Sequence, residues 1–429
     1  MSEVAVTLPY GTDAVEIRIP GGNLIGVYSP HETEPVASVR NEIVRAIDNP
    51  IGSKPLRDLV RGSSRVVILA DDNTRLTPVE AILPVVLDEM NAAGIGDEQV
   101  TVVVALGTHR FMTGAEIVKK FGGEMAKRVA IKNHDCRKPE ALVDLGTTPN
   151  GTRIRVNREV YEADFTLGIG SIVPHHIPGF AGGAKIVQPG VSGEETTAGT
   201  HLLSVRAPRS HLGVERNPVR EEMNQIARQT GMNTIFNVVL SRHGELAGAF
   251  FGDTVAAFAE GVKLAREVYA VTIPEQADIV IAGSHPCDIE FWQAHKALYP
   301  SDRAVKAGGT IIVVTPCDEG VAVTHPDVLE LARCSAGELR RRVAAHELHD
   351  GVAAALAIAW AQVKEREEVF LVSRGIDEDS ARTLGFTRFD DVQAACDAAL
   401  ARHGREARVA VLTHAPDMLP LIDGVQICP

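Results

Sequence analysis

RVVILADDNTRLTP, residues 65–78, has the pattern of a buried strand, a polar cluster and the start of a helix. The apolar run that ends at Ala70 is typical of a strand covered on both faces of a parallel sheet. Thr77 is predicted to cap the helix, and Pro78 suits its first position because that position needs no backbone donor. The helix should continue to about Ala93.

The same unit recurs twice further along the chain. A second buried strand, 100–106, is followed by GTHR at 107–110, and a third, 129–132, is followed by a polar cluster at 133–135. Strands that alternate with helices indicate an open α/β sheet, in which ligands bind beyond the carboxyl ends of the strands. Each of the three polar clusters is predicted to lie at such an end, and His134 and Asp135 of the third are interpreted as structural or supporting residues.

A second set of strands begins after residues 272–277. These strands are predicted at 279–282, 311–315, 369–372 and 409–412. They alternate with helical stretches predicted near 326–346, 350–365, 377–384 and 391–402. The predicted fold class is therefore α/β, with two α/β domains, mostly parallel sheets and an active site in the cleft between them. We expect a cofactor-binding and catalytic domain at 1–272 and a smaller domain that contributes substrate contacts at 273–429.

Composition narrows the class of protein. The formal net charge of −13 disfavours nucleic acid and anionic membranes as partners, because both repel an acidic surface. Six cysteines without a C-x-x-C pair form neither a zinc motif nor a disulfide framework. The N-terminus lacks the pattern of a signal peptide, and the longest apolar run, 352–361, is too short to span a membrane. A cytoplasmic enzyme is expected, and a homo-oligomer stays open.

Residues 171–201, SIVPHHIPGFAGGAKIVQPGVSGEETTAGTH, are predicted to form a long functional loop with short helical pieces. Three histidines, His175, His176 and His201, are candidate acid/base groups or metal ligands, and Lys185 is the cation between them. The glycines permit a close approach of the backbone to a ligand. A P-loop is excluded because Ile186 follows the lysine where Ser or Thr is required.

Further candidates lie in the polar clusters and in the second half of the chain. They are Asp72 and Arg75 after the first strand, His109 after the second, and Trp292, Gln293 and Lys296. Each also has a structural interpretation, as a capping aspartate, a surface lysine or a core tryptophan. Together they offer cations for a carboxylate and histidines to move a proton. The acidic ligands of a two-metal hydrolase and the G-x-S-x-G elbow are missing from the sequence.

These motifs, taken in their order and spacing, resemble the nickel-pincer lactate racemase family of 2-hydroxyacid racemases and epimerases. The matching segments are DDNTR at 71–75, GTHR at 107–110, PHHIPGFAGGAKIVQPGVSG at 174–193 with TH at 200–201, and QAHK at 293–296. The resemblance implies two α/β domains with the active site between them. It also implies a cofactor, the nickel pyridinium-3,5-bisthiocarboxylic acid mononucleotide, which separate biosynthesis enzymes make.

The resemblance also implies roles for individual residues. The cofactor-attaching lysine corresponds to Lys185, the nickel-binding histidine to His201, and the two acid/base histidines to His109 and His175. Asp72, Gly182 and Gly183 would contact the cofactor. The residues expected to bind the substrate are Arg75, Trp292, Gln293 and Lys296.

The chemistry implied is racemisation or epimerisation at C2 of a 2-hydroxy acid by reversible hydride transfer, which avoids a carbanion beside a carboxylate. Trp292 stands where lactate-specific members have tyrosine, and His176 and His295 are additional histidines. The substrate therefore stays open between lactate and a larger acid such as malate, an aromatic hydroxy acid or a sugar acid such as gluconate. A non-catalytic protein that binds a nucleotide or phosphate on the same scaffold is the alternative of a different class.

Overall fold

The structure is a computed structural model that describes residues 3–428. Its strands are β1 (Glu3–Tyr10), β2 (Asp13–Pro20), β3 (Leu24–Tyr28), β4 (Val66–Ala70), β5 (Val100–Val104), β6 (Ala130–Asn133), β7 (Leu142–Thr147), β8 (Arg153–Asn157), β9 (Phe165–Ser171), β10 (Pro174–His175), β11 (Gly179–Phe180), β12 (Thr234–Leu240), β13 (Leu246–Gly252), β14 (Ala270–Ile273), β15 (Ala277–Gly283), β16 (Val305–Val314), β17 (Glu368–Val372), β18 (Thr387–Phe389), β19 (Val409–Leu412) and β20 (Leu419–Ile422).

The helices surround two sheets built from these strands. They are α1 (Val39–Asp48), α2 (Leu56–Val60), α3 (Val79–Ala92), α4 (Gly114–Phe121), α5 (Met125–Arg128), α6 (Arg158–Tyr161), α7 (Glu194–Ser204), α8 (Pro218–Thr230), α9 (Ala256–Tyr269), α10 (Phe291–Ala294), α11 (Leu298–Ala304), α12 (Asp327–Leu331), α13 (Ala336–Ala344), α14 (Gly351–Lys364), α15 (Glu378–Leu384) and α16 (Val392–His403).

The first sheet has six strands in the order β13-β12-β9-β4-β5-β6. All neighbours are parallel except β12 and β13, which form an antiparallel edge. Strand β4 is buried along its whole length, as its apolar sequence predicts. The carboxyl ends of β4, β5 and β9 therefore meet at one edge of the sheet. Polar clusters follow β4 and β5 there, and the glycine-rich segment follows β9, whereas the cluster at 133–135 follows β6.

The second sheet is parallel throughout, in the order β18-β17-β16-β15-β19-β3. Its edge strand β3 comes from the N-terminus of the chain. The β1–β2 hairpin contributes Leu8, Ile17 and Ile19 to the hydrophobic core on one face of this sheet. The predicted α/β class with mostly parallel sheets is confirmed. The domain limits 1–272 and 273–429 stay a prediction.

Helix α14 joins the two halves of the molecule. Its residues from Val352 to Val363 are buried on all sides, which explains the longest apolar run in the sequence. One side packs in the core of the second sheet, and another packs against Ala198 and Leu202 of α7. No helix among residues 3–428 is long and apolar enough to cross a membrane.

Three local predictions need correction. The segment 171–201 is not a loop to its end, because α7 begins at Glu194 and carries His201. The helix expected at 326–346 is two helices, α12 and α13, with a break between them. Thr77 does not cap α3, because its hydroxyl donates to Asp71 Oδ2 at 2.5 Å instead.

Candidate active site

A cavity lies between the two sheets, beyond the carboxyl ends of β4, β5 and β9. Its lining atoms and open mouth together bound about 920 Å³ of empty space. The residues predicted from the sequence that line it are Asp72, Arg75, His109, His175, Gly182, Lys185, His201, Trp292, Gln293 and Lys296. Gly183 does not line it and packs against the ring of Phe258 instead.

A short hairpin holds His175 in the cavity wall. Strands β10 and β11 pair His175 with Gly179, whose φ of +86° lies in the left-handed region. A Cβ at this glycine would lie 2.0 Å from the carbonyl oxygen of Val214. Glycine is therefore required twice over at this turn, by its backbone conformation and by the close approach of another chain segment.

A buried arginine clamps the glycine-rich turn that precedes Lys185. Arg220, on α8, donates from Nη1 to the carbonyl oxygen of Gly182 at 3.0 Å and from Nη2 to that of Phe180. Its guanidinium lies 4.3 Å from the centre of the Phe258 ring. Asn237 completes the clamp, because its Oδ1 accepts from Gly183 N–H at 2.7 Å. Sequence reasoning missed both residues, since neither lies in a motif.

Asp72 and His109 form an oriented pair at the ends of adjacent strands. Asp72 Oδ2 lies 2.6 Å from His109 Nδ1. Burial alone raises the pKa of the Asp72 carboxyl, but His109, Arg75 and Thr74 outweigh it and hold that pKa well below its usual range. The ionised carboxylate therefore accepts from Nδ1–H of His109. The lone pair on Nε2 of this imidazole is then directed towards Gln293, which lines the same cavity.

Gln293 and Lys296 reach this imidazole from the second half of the chain. Gln293 Nε2 lies 3.1 Å from His109 Nε2, and Gln293 Oε1 accepts from Lys296 Nζ. Burial and the neighbouring Arg75 lower the pKa of Lys296 to about 8. His109 and Gln293, which are 184 residues apart in the sequence, therefore belong to one chain of hydrogen bonds.

His175 has the opposite hydrogen-bonding arrangement. Its Nδ1 accepts from Ile177 N–H at 3.2 Å, so a neutral His175 carries its proton on Nε2. Burial, and then the positive charges of Lys185, Lys296 and Arg75, hold the pKa of this imidazole well below its usual range. The two histidines of the cavity thus differ in the nitrogen that holds the proton.

Lys185 and His201 are also kept neutral. Burial, followed by the charges of Arg75, Lys296 and Arg220, holds the pKa of Lys185 well below its usual range. Burial and the charge of Lys185 lower the pKa of His201 to about 3, and its Nδ1 is buried without a hydrogen-bond partner. A neutral amine is a nucleophile, and a neutral imidazole has a lone pair for a metal.

The two additional histidines lie behind these groups. The His176 ring stacks on His175 with centroids 4.6 Å apart and on Tyr299 at 4.2 Å. His295 Nδ1 lies 2.9 Å from the Tyr299 hydroxyl. Trp292 is 5% exposed, stacks on His325 at 4.4 Å and lines the cavity, so it belongs to the core and to the cavity wall alike.

The residues between 3 and 428 include no group of three or more His, Cys, Asp or Glu side chains that could hold a metal ion. A metal at His201 would therefore need most of its ligands from another molecule.

Comparison with known proteins matches two family models to separate parts of the chain. Residues 10–213 match the family model of the lactate racemase N-terminal domain, and residues 272–417 match that of the lactate racemase C-terminal domain. The lactate racemase of Thermoanaerobacterium thermosaccharolyticum is 31% identical over 321 residues, which cover 73% of this chain and 75% of that protein. The lactate racemase of Lactiplantibacillus plantarum is 29% identical over 433 residues, covering 98% and 99%.

Solved structures agree with this comparison. The lactate racemase apoprotein from T. thermosaccharolyticum has a TM-score of 0.86 and 26% identity, with 97% of this chain and 100% of that chain covered. A Thermotoga maritima protein has a TM-score of 0.72 at 20% identity, covering 91% and 100%, and shares the fold. The chain therefore belongs to the lactate racemase family, whose members are isomerases.

Proposed function

We propose that this protein interconverts the two configurations at C2 of a 2-hydroxy acid, with His109 and His175 as the acid/base pair and a nickel-pincer nucleotide as the cofactor. Lactate, which the names of its relatives give, is the first substrate to test. The observation that carries the proposal is the pair of imidazoles in one cavity with opposite hydrogen-bonding arrangements, beside the cationic side chains of Arg75 and Lys296.

The residues of the cavity suit the proposed cofactor. Gly182, Lys185 and His201 line one cavity, where they could serve as the contact, attachment and metal-binding groups of a mononucleotide. His201 would be the single protein ligand of the nickel, because the cavity offers no acidic ligand cluster. Lys185 would be the point of attachment, as its neutral amine can attack a carbonyl or thiocarbonyl carbon. Gly182 exposes backbone to the cavity for close contact with the nucleotide.

When bound, the nucleotide supplies an acceptor that takes a hydride from C2 and returns it to either face. The remaining steps belong to the side chains of this protein. Arg75 and Lys296 would hold the substrate carboxylate, which suits the planar fork of arginine and the ammonium of lysine. Gln293 would fix the hydroxyl beside His109, because it already contacts Nε2 of that ring.

His109 would act as the base towards one enantiomer. Its Nε2 lone pair takes the proton of the C2 hydroxyl, and Asp72 stabilises the imidazolium that forms. Asp72, predicted from the resemblance to contact the cofactor, would thus act through His109. This oriented pair also keeps the ring in one tautomer before the substrate binds.

His175 would act on the opposite configuration. The cations that lower its pKa are those expected to bind the substrate carboxylate and the cofactor. Negative charge from these two ligands would offset Arg75 and Lys296, and so raise the pKa of His175 towards the working pH. Protonated in the loaded site, it would give its Nε2 proton to the oxygen of the flat keto acid. Each histidine is expected to contribute about 10²–10⁴-fold in rate.

The proposed partners follow from the cofactor. The enzymes that build the nickel nucleotide would load it into this protein, and the small hydroxy acid would be its substrate.

The test uses protein produced together with those enzymes. We expect elemental analysis to find bound nickel. With the reaction run in D₂O, chiral chromatography should show that L-lactate or another 2-hydroxy acid is converted to a racemic or epimeric mixture. The C2 hydrogen should be retained, because hydride is returned rather than exchanged. Extensive deuteration at C2 would contradict the mechanism.

Matched variants separate this function from the binding-protein alternative. His109→Ala and His175→Ala should each reduce turnover by about 10²-fold or more, while His349→Ala, at an exposed histidine, should not. Equal activity in all three variants, or a protein without nickel and without activity, would favour the non-catalytic alternative.

A further inference from the structure

One histidine of the cavity wall has no part in the mechanism proposed above. His176 lines the cavity between the two sheets, and it also lines a small pocket whose wall includes Ser204, Arg209, Tyr299 and Asp302. Both nitrogens of its ring are buried and contact no hydrogen-bonding atom among residues 3–428. Water is the usual partner of a buried polar group that no protein atom satisfies. The ring of His176 thus has two nitrogens that water in the adjoining spaces can reach.

The small pocket leads from partly exposed side chains to this ring. Arg209 and Arg366 of its wall have side chains that are 24% and 23% exposed, whereas Tyr299 is 3% exposed. Asp302 lies between the two arginines and offsets part of their charge, because its carboxylate is 2.7 Å from Arg366 Nη2 and 3.9 Å from Arg209 Nε. The lining atoms and open mouth together bound about 320 Å³ of empty space. A water molecule takes up roughly 30 Å³ in the liquid, so the pocket has room for at least one.

His176 lies next to one of the two proposed acid/base groups. Its ring stacks on His175 with centroids 4.6 Å apart and planes 17° from parallel, and it stacks on Tyr299 in the same way at 4.2 Å. Stacked rings do not point their nitrogens at each other, so a proton passes between them through water. His175 accepts from Ile177 N–H at Nδ1, which leaves Nε2 as the nitrogen that can exchange a proton with such a water.

The surroundings of His176 keep its ring neutral in the free protein. Burial, and then the neighbouring His295 and Lys296, hold the pKa of this imidazole well below its usual range. A neutral imidazole can accept a proton on one nitrogen and release the proton of the other, which is how histidine acts as a proton shuttle. His176 therefore has the chemistry of a relay.

The proposed mechanism leaves one proton to be returned in every turnover. His109 gains the hydroxyl proton of the substrate, and His175 gives a proton to the keto oxygen. Before the next conversion in the same direction, His109 must lose a proton and His175 must gain one. The side chain of His109 is 24% exposed and can exchange with solvent directly. His175 is 8% exposed, and substrate and cofactor would occupy the cavity that it faces.

We propose that His176 is the proton relay between solvent and His175. Water in the small pocket gives a proton to one nitrogen of His176, and the other nitrogen passes its proton, through a water of the cavity, to Nε2 of His175. One proton enters by this route for each proton that His109 releases, and no bonds change except N–H and O–H bonds. Conversion of the opposite enantiomer runs the same steps backwards. This inference rests on the proposed function.

The variant His176→Phe keeps a stacked ring and removes both nitrogens. At saturating substrate over many turnovers, we expect kcat of the loaded enzyme to fall by about 10-fold or more, because a positioned side chain speeds a proton transfer by roughly 10²–10⁴-fold. The rate of a single turnover, measured with enzyme in excess, should be unchanged, since the first conversion needs no returned proton. Imidazole added to the solution should restore part of kcat by carrying the proton instead.

His211→Phe is the matched control. His211 is also buried, but its ring lines neither the cavity nor the small pocket. Its contact with His176 is made by the main chain, where His211 N–H donates to the carbonyl oxygen of His176 at 2.9 Å, and the substitution keeps that contact. Both rates should be the same as in the unaltered enzyme.

A second variant tests the water route without the cofactor. Ala359→Leu narrows the small pocket and leaves the wall of the cavity unchanged, because Ala359 lines only the former of the two. In the apoprotein, mass spectrometry should find slower deuterium exchange at the ring carbon between the nitrogens of His176, and unchanged exchange at His109. Ala344→Leu, at an exposed alanine of α13, should alter neither. If His176→Phe does not fold, Ala359→Leu in the loaded enzyme should lower kcat and leave the single-turnover rate unchanged.

The outcomes separate the relay from the proposed function. A parallel fall of both rates in His176→Phe would indicate a structural role and overturn the relay. An unchanged kcat in that variant, or exchange at His176 that Ala359→Leu does not slow, would overturn it as well, and the racemase would stand in each case. A nickel-loaded enzyme that inverts no 2-hydroxy acid would overturn the racemase proposal and the relay with it.

Discussion

At the scale of single residues, the cavity disfavours the protonated forms of several basic groups. Lys185, His175 and His201 are each buried next to other positive charges, and the pKa of each is lowered. A lysine in this state is a nucleophile at a pH where a surface lysine is a cation. The free protein therefore prepares Lys185 for reaction before any cofactor arrives.

This state of Lys185 is measurable without the cofactor. We expect the rate of modification of Lys185 by an amine-reactive reagent to reach half its maximum at a pH well below that for Lys263. Lys263 is an exposed lysine whose side chain pairs with Glu260 on its own helix. The sign follows from the lowered pKa of Lys185, since the fraction of neutral amine rises as the pH passes through the pKa, and this happens at a lower pH for Lys185 than for an exposed lysine. Mass spectrometry of the two peptides over a range of pH gives both profiles, and coincident profiles would contradict the prediction.

Residue types and motif order predicted most of the cavity wall. The side chains at strand ends, such as Asp72 and His109, could be predicted because parallel strands bring their carboxyl ends to one edge. Arg220 and Asn237 could not be predicted. Their roles depend on contacts between segments far apart in the chain, and no local pattern records those contacts.

At the scale of elements, the β10–β11 hairpin fixes the position of His175. Gly179→Ala places a methyl group against the Val214 carbonyl, and we expect the free energy of unfolding to fall by about 1–3 kcal/mol beyond the cost of the positive φ. Gly151→Ala is the matched control, because Gly151 has a φ of +93° and no atom within 4 Å of its added Cβ. Denaturant unfolding of both variants measures the difference, and equal losses would show that the close contact is unimportant.

The elements themselves were predicted unevenly. Buried strands such as β4 and β5 were found because their sequences are continuously apolar. The helix α7 was missed because its sequence, EETTAGTHLLS, is rich in Thr and Gly, which are weak helix formers. Packing of its buried face, including Thr197 and Leu203, stabilises it instead. Tertiary contacts thus outweighed local propensity at the helix that carries His201.

At the scale of the whole molecule, the N-terminal hairpin belongs to the core of the second sheet. Leu8→Ala, at a side chain that is 0% exposed, should lower the free energy of unfolding by about 2–5 kcal/mol. Val4→Ala on the same strand, at a side chain that is 39% exposed, should change it by less than about 0.5 kcal/mol. Thermal or denaturant unfolding of the two variants measures the effect, and a small loss for Leu8→Ala would mean that the hairpin packs loosely.

The two halves of the molecule could be predicted from the restart of the strand pattern, but the position of β3 could not. Short strands near a terminus carry no signal for the partner they select. The pairing of β3 with β19 depends on the exposed edge of a sheet whose other strands follow much later.

The pairing of the first strands with the last has a consequence for synthesis on the ribosome. Asn23 hydrogen-bonds to Ala407, 384 residues further along the chain. At about 5–20 residues per second, the N-terminal segment waits roughly 20–80 s before its partner strand emerges. During that interval the apolar hairpin has no sheet to cover, so the nascent chain is expected to depend on chaperones until translation is complete.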